Sequence, residues 1–192
     1  MRIAFVGKGG SGKTTCAALF TQHVLNDASG NVWAVDADLN MHLAEQLGVD
    51  ATGLKHISDP ASEKDIKAYL RGGNGRIKEL SHFKKTTPPG EGSGFIVVRD
   101  SDNYVLRNYA SIRNNLFLSI VGSYDPDGIG ASCYHNNLAV LESMLSHTID
   151  EGAHVIVDMV AGVDAFAGTL HAQIDLVILV TEPPKKSVDV YK

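Results

Sequence analysis

Between Gly7 and Thr15 the chain reads GKGGSGKTT, and this stretch restricts the possible folds more than any other. Gly7, Gly9 and Gly12 spell G-x-G-x-x-G, the glycine pattern of dinucleotide-binding loops. Gly7, Gly12, Lys13 and Thr14 spell G-x-x-x-x-G-K-T, the P-loop. Both patterns require a buried strand running into a glycine turn, then a helix whose first N–H groups face an anion. The flanks fit. RIAFV, before Gly7, is a short apolar run, and KTTCAALFTQHVLNDA after it carries apolar residues at helical spacing. VWAVDAD then reads as a second buried strand, followed by a short helix, NMHLAEQLG, closed by Gly48. Strand, loop, helix and strand make a βαβ unit and predict a parallel sheet.

The dinucleotide reading needs an acidic residue about 20 positions beyond the glycines to bind a ribose, and Asp36 stands near that place. The glycines and Asp36 therefore leave both readings open, and Lys13-Thr14 separates them. A P-loop lysine reaches the β- and γ-phosphates and the following hydroxyl ligates Mg²⁺, whereas hydride transfer has no use for this pair. The P-loop also predicts a distant acidic residue at the end of a buried strand, which HVIVDMVAG supplies as Asp158. The phosphate-binding set is then Gly7, Lys8, Gly9, Gly10, Ser11, Gly12, Lys13, Thr14 and Thr15, with Thr14, Asp36 and Asp158 as the magnesium set.

The rest of the chain alternates in the same way, with a less regular middle. SEKDIKAYLRGG predicts a helix with a glycine stop, TTPPGEGSG a mobile loop, and FIVVRDSDNYVLRNY a hairpin turning at DSDN. NLFLSIVG predicts a strand, HNNLAVLESMLSHTIDEG a helix, and IDLVILVTEPP another strand. KKSVDVYK begins a further helix. A parallel sheet continues from such a point, which predicts a C-terminally truncated protein. The whole is expected to be one α/β P-loop domain over 1–192, with an irregular or hairpin insertion around 55–110.

Composition narrows the function. The net charge of −5 provides no footprint for non-specific nucleic-acid or acidic-membrane binding. Two cysteines, Cys16 and Cys133, argue against a disulfide scaffold and fit a reducing cytoplasm. The opening MRIAFVG is too short for a signal-peptide core, and no 18-residue apolar run spans a bilayer. Cys16, on the first helix, reads as core packing, and His154, at the start of a strand, as a surface residue. Arg71, Arg76, Lys78, Lys84 and Lys85 form a loose basic cluster in the middle region.

KGGSGKTT, with its extra Lys8, resembles the deviant P-loop of the MinD/ParA family of ATPases. That resemblance implies a three-layer, SIMIBI-like fold with a mostly parallel sheet. It also implies an ATP-dependent homodimer that hydrolyses Mg-ATP slowly, with Lys8 of one chain crossing to the phosphates held by the other. VDADLNMHLAEQLG resembles the family's first switch: Asp36 would hold a magnesium-bound water, and Asp38 would orient or deprotonate the attacking water. VDMVAG resembles its second switch, D-x-x-x-G, in which Asp158 and Gly162 sense the γ-phosphate. Met159 and Val160 depart from the family's usual DTPAG or DTEAG. The implied catalytic set is Lys8, Lys13 and Asp38, with ATP or ADP and Mg²⁺ bound.

Within the family, GIGASCYHNNLAVLE resembles the place where CooC-type maturation ATPases, which serve carbon monoxide dehydrogenase, carry C-x-C before a helix. Here the pattern is Cys133-Tyr134-His135. Two chains about a two-fold axis would supply Cys₂His₂, a tetrahedral set for Zn²⁺ or Ni²⁺. The implied role is metallocentre maturation, such as nickel insertion, with a metalloenzyme apoprotein as client. A ParA/MinD-like positioning ATPase and a nucleotide-dependent scaffold without turnover are the alternatives, and an NAD-linked oxidoreductase ranks third. Neither an amphipathic membrane tail nor a basic DNA-contact surface is visible in these residues.

Overall fold

The computed structural model describes residues 1–27, 30–122, 134–160 and 169–189, with backbone alone at 134–137, 160, 169 and 186–187. The main strands are β1 (Arg2–Gly7), β2 (Val32–Ala37), β4 (Ser111–Arg113), β5 (Leu116–Ile120), β7 (His154–Val160) and β8 (Leu176–Val180). They form one sheet in the order β4-β5-β2-β7-β1-β8, parallel except where β4 pairs antiparallel with β5. A separate parallel pair joins β3 (Ile96–Val97) to β6 (Thr148–Ile149). The helices are α1 (Lys13–Asp27), α2 (Leu43–Leu47), α3 (Pro60–Arg71), α4 (Tyr104–Tyr109), α5 (Tyr134–Ser146) and α6 (Lys185–Asp189).

The strands are apolar on both faces, and their period of two sorts the side chains into two cores. Ile3, Phe5, Val32, Ala34 and Ile156 pack with Ala17, Ala18 and Val24 of α1 and Leu43 and Leu47 of α2. Ala4, Val6, Trp33, Val35, Val155 and Val157 pack on the opposite face, against Ile66 and Leu70 of α3, Leu106 of α4 and Leu141 and Met144 of α5. Helices on both faces of a mostly parallel sheet make the expected three layers. Trp33, the chain's one tryptophan, is fully buried, and its indole N–H donates to Ser119 Oγ at 3.0 Å.

The irregular middle does not stand apart from this core, because Ile57, Ile77, Phe83, Ile96 and Val105 all join the α3–α5 cluster. Its local structure corrects the predicted hairpin. Instead of turning back on itself, Ile96–Val97 pairs with Thr148–Ile149, and residues 104–109 form α4. The cause is Asn103. Its side chain accepts from Val105 N at 3.1 Å, an N-cap, while its amide donates to Phe95 O at 2.9 Å. Val105, Leu106 and Tyr109 then fall on one buried helical face.

The helix predicted through residue 152 ends at Ser146, and Thr148–Ile149 becomes β6. The Thr86–Gly94 stretch is irregular, as expected, but it is fastened to the end of α3: Gly73 N donates to Gly92 O at 2.8 Å, and Asn74 Nδ2 to Ser93 Oγ at 3.1 Å. Gly48 closes α2 in the left-handed conformation, φ 63°. On the outer edge, Leu176, Val177 and Leu179 of β8 are exposed on both faces of the strand.

Candidate functional site

Strand order creates the site. β7 lies between β1 and β2, so the strand ending in the glycine loop and the strand ending in D-x-D flank the one that carries Asp158. Asp36 and Asp158 are direct Cα partners in the β2–β7 register. Both share the parity of Ala34 and Ile156, so both side chains lie on the α1 face. α1 begins at Lys13 on that same face and has no acidic residue in its first turn. Its N–H groups and the positive end of its dipole are therefore left for an anion.

The glycines shape the loop. Gly10 (φ 83°) and Gly12 (φ 90°) occupy the left-handed region that favours glycine. A Cβ on Gly7 would collide with Val180 O of β8 and Ser11 Oγ, whereas Cβ atoms on Gly9, Gly10 and Gly12 would project into open space. Gly7 is thus demanded by the sheet, and Gly10 and Gly12 by their backbone conformation. Ser11 N donates to Lys8 O at 3.1 Å to close the turn, and Ser11 Oγ is buried with no hydrogen-bond partner among the described residues.

Beside the glycine loop sit three buried carboxylates, Asp36 (0 % exposed), Asp38 (3 %) and Asp158 (0 %), with the buried ammonium of Lys13. Lys13 Nζ forms an ion pair with Asp38 Oδ2. Asp38 Oδ1 accepts from Asn40 N at 3.1 Å and Asn40 Nδ2 at 3.4 Å. Asp36 fastens the loop that follows, accepting from Asp38 N at 3.2 Å and from Leu43 N at 2.9 Å. Within that loop Met41 has φ 50°, a conformation costing a non-glycine residue roughly 1–2 kcal/mol. Both oxygens of Asp158 are buried, and among the described residues only the Thr14 hydroxyl approaches them as a donor.

One ammonium among three carboxylates leaves the site short of positive charge, and the acidities reflect it. Burial pushes the Asp158 carboxyl up to about 7. The nearby Thr14 hydroxyl and Lys13 oppose this, while Asp36 and Asp38 add to it. Burial also raises Asp36, against the two backbone N–H groups it accepts. The buried oxygens of Asp158, Asp36 beside it and the Thr14 hydroxyl fit a hard divalent cation, since Mg²⁺ takes one or two carboxylates and fills its shell with phosphate and water.

The structure therefore brings Gly7, Gly9, Gly10, Ser11, Gly12, Lys13, Thr14, Asp36, Asp38 and Asp158 to one end of the sheet. Thr15 and Lys8 are exposed at its rim, and the Lys8 side chain makes no ion pair or hydrogen bond among the described residues. Gly162 and Cys133 lie outside the described residues, as does the His135 side chain. No group of three or more His, Cys, Asp or Glu placed to hold a metal occurs among the described residues. Cys16 is half-buried against the α1-side core, as expected. His154 is more enclosed than predicted, with its Nδ1 buried. Within the basic cluster, Lys85 pairs with the buried Glu142 at 3.4 Å. Sequence reasoning missed Asn40 as the partner of Asp38; its signal is the Asx-turn spacing D-x-N at 38–40. A cleft of about 390 Å³ lined by Gln22, Asn26, Arg113 and Asn115 shares no residue with the phosphate loop.

No family model matches the chain. The carbon monoxide dehydrogenase accessory protein CooC of Rhodospirillum rubrum is 31% identical over 98% of this chain. An uncharacterised ATP-binding protein of Methanocaldococcus jannaschii is 29% identical over 98%. The chain spans 65% of the length of each of these two relatives. The crystal structure of a ParA family ATPase from Chlorobium tepidum superposes with a TM-score of 0.54 at 19% identity, covering 98% of this chain and 63% of that one; it shares the fold. Among the described residues no helix is long and apolar enough to cross a membrane. With this loop and this sheet, the chain has the P-loop fold of the ParA family ATPase structure, and it resembles CooC over the 65% of that protein that it matches.

Proposed function

We propose that this domain binds Mg-ATP at Gly7–Thr15 and hydrolyses it slowly as a nucleotide-dependent homodimer. The carrying observation is the meeting of the open glycine loop, the N-terminus of α1 with no acidic residue in its first turn, Lys13 and the buried Asp158 at one end of the sheet. In this reading the N–H groups of the loop cradle the phosphates and Lys13 reaches the β- and γ-oxygens. Thr14, Asp36 and Asp158 hold Mg²⁺, which neutralises phosphate charge when bound. Asp38 orients or deprotonates the attacking water, and Gly162 with Asp158 senses the γ-phosphate. Lys8, exposed at the rim, would reach the phosphates of a second copy and offset charge developing there. Phosphate release from Mg-ATP by wild type and Lys13→Ala tests this: turnover is expected only in the wild type.

The likeness to a carbon monoxide dehydrogenase accessory protein supports a finer reading. The domain belongs to a cytoplasmic maturation factor that acts on a metalloenzyme apoprotein. Cys133 and His135, duplicated about the dimer axis, would hold Zn²⁺ or Ni²⁺ as cargo. Metal analysis of the purified protein with and without ATP tests this. About one metal per two chains, lost in Cys133→Ser, supports it, and a metal-free ATP-bound dimer contradicts it.

A further inference from the structure

We propose that Asp38 is a latch on the P-loop lysine, so that this domain holds its own hydrolytic carboxylate out of action until phosphate arrives. The inference rests on the nucleotide reading above. Its basis is that Asp38, the residue assigned to the attacking water, has both oxygens committed. Oδ2 is paired with Lys13, and Oδ1 accepts from the backbone and side-chain nitrogens of Asn40. Lys13 is equally committed. Its ammonium, on a side chain 6 % exposed, faces a carboxylate 3 % exposed, so water does not screen the pair.

A carboxylate and a phosphate are chemically similar partners for an ammonium, both being anionic oxygen acceptors. Asp38 thus stands in for the ligand. A nucleotide whose β- and γ-oxygens take Lys13 must displace Asp38, and displacement frees Oδ2. The same event reaches the loop 38–42, because Asp36 clasps both of its ends, at Asp38 N and Leu43 N, around Met41 in its left-handed conformation. Releasing Asp38 removes one of the contacts holding that loop, so phosphate binding is transmitted to α2. This ties arrival of the substrate to availability of the Asp38 carboxylate.

The latch makes a measurable claim about competition. Asp38→Asn keeps the side-chain shape but removes the charge that holds Lys13. Affinities for Mg-ATP are compared by calorimetry in wild type, Asp38→Asn, Lys13→Ala and the double variant, with Trp33 fluorescence confirming folding. Two effects raise affinity in Asp38→Asn: relief of charge repulsion, which acts in either background, and release of Lys13, which acts only where Lys13 is present. The latch therefore predicts a gain in the Lys13 background at least about tenfold larger than in the Ala background. In wild type, Mg-ATP should also speed hydrogen exchange at the Asn40 amide as its acceptor moves. Equal gains in both backgrounds with unchanged Asn40 exchange overturn the latch while leaving the nucleotide site standing. Absence of Mg-ATP binding to both wild type and Asp38→Asn overturns the site, and the latch with it.

Discussion

Asp36 and Asp158 stand side by side on neighbouring parallel strands, Cα partners in register, with both carboxylates fully buried on the face where α1 begins. Two acidic groups so placed repel each other, and burial makes each charge harder to carry. The folded chain meets this by holding Asp158 at a pKa of about 7. A divalent cation bound at this site would therefore release the Asp158 proton.

The first prediction follows from that coupling. Below about pH 7 a divalent cation must displace the Asp158 proton, so apparent Mg²⁺ affinity should rise up to about tenfold per pH unit and level off above 7. In chelator, the sign for stability is opposite. The folded carboxyl binds its proton more tightly than the unfolded one, so this contribution is present below about pH 4 and lost as pH rises through 7. Asp158→Asn should abolish the Mg²⁺ response and remove this loss. Thermal unfolding from pH 4 to 8, followed by Trp33 fluorescence, measures both, and an unchanged profile in Asp158→Asn contradicts the assignment.

Gly7 and Gly9 should respond differently to alanine. A Cβ on Gly7 meets the Val180 carbonyl of β8, so Gly7→Ala should cost about 1–3 kcal/mol of stability as well as nucleotide affinity. A Cβ on Gly9 meets nothing within 4 Å. Gly9→Ala should therefore leave the unfolding midpoint within about 0.5 kcal/mol of wild type and weaken nucleotide binding alone. Denaturant unfolding and nucleotide titration of both variants separate the sheet's requirement from the ligand's.

A second pH response belongs to His147. It is fully buried, its Nδ1 lies 3.0 Å from Ser143 O and 2.9 Å from Ser146 Oγ, and the rings of Phe83 and Phe95 pack beside it. Burial lowers its pKa from 6.5. Its contribution to stability is present above pH 6.5 and lost as pH falls toward the folded value, by at most about 1.4 kcal/mol per pH unit. His147→Gln should be less stable at pH 8 yet show a shallower acid decline. An equally steep decline in that variant would assign the acid sensitivity to another group.

Lys8 is tested by mixing. Lys8→Ala should bind ATP and fail to turn it over, and so should Asp38→Ala. Heterodimers of the two contain one composite site with its own Asp38 and a partner's Lys8, so mixing should restore part of the activity. Nucleotide-loaded heterodimers that remain inactive would count against the crossing lysine.

The parts of this molecule legible in its sequence are those set by local pattern. Apolar runs such as RIAFV and HVIVDMV became buried parallel strands, and Gly48 closed its helix, because periodicity and backbone chirality act within a few residues. The stretch at 95–109 was misread because Asn103 can turn a strand pair or cap a helix, and its choice is made by Phe95 and Val105 in three dimensions. The two-residue β6 was absorbed into a helix because its partner lies about 50 residues earlier, at Ile96–Val97. P-loop chemistry was readable from spacing, but the Lys13–Asp38 pair was not. It joins the ends of two strands, β1 and β2, that are not neighbours in the sheet, a relationship set by the topology and not by local spacing.

The most direct test of the central claim is titration of the purified protein with Mg-ATP, with phosphate release followed in the same samples. The account predicts saturable binding and slow turnover in wild type, with both binding weakened and turnover abolished in Lys13→Ala. Hydrolysis by Lys13→Ala at the wild-type rate, or no nucleotide binding by folded wild type, would contradict it.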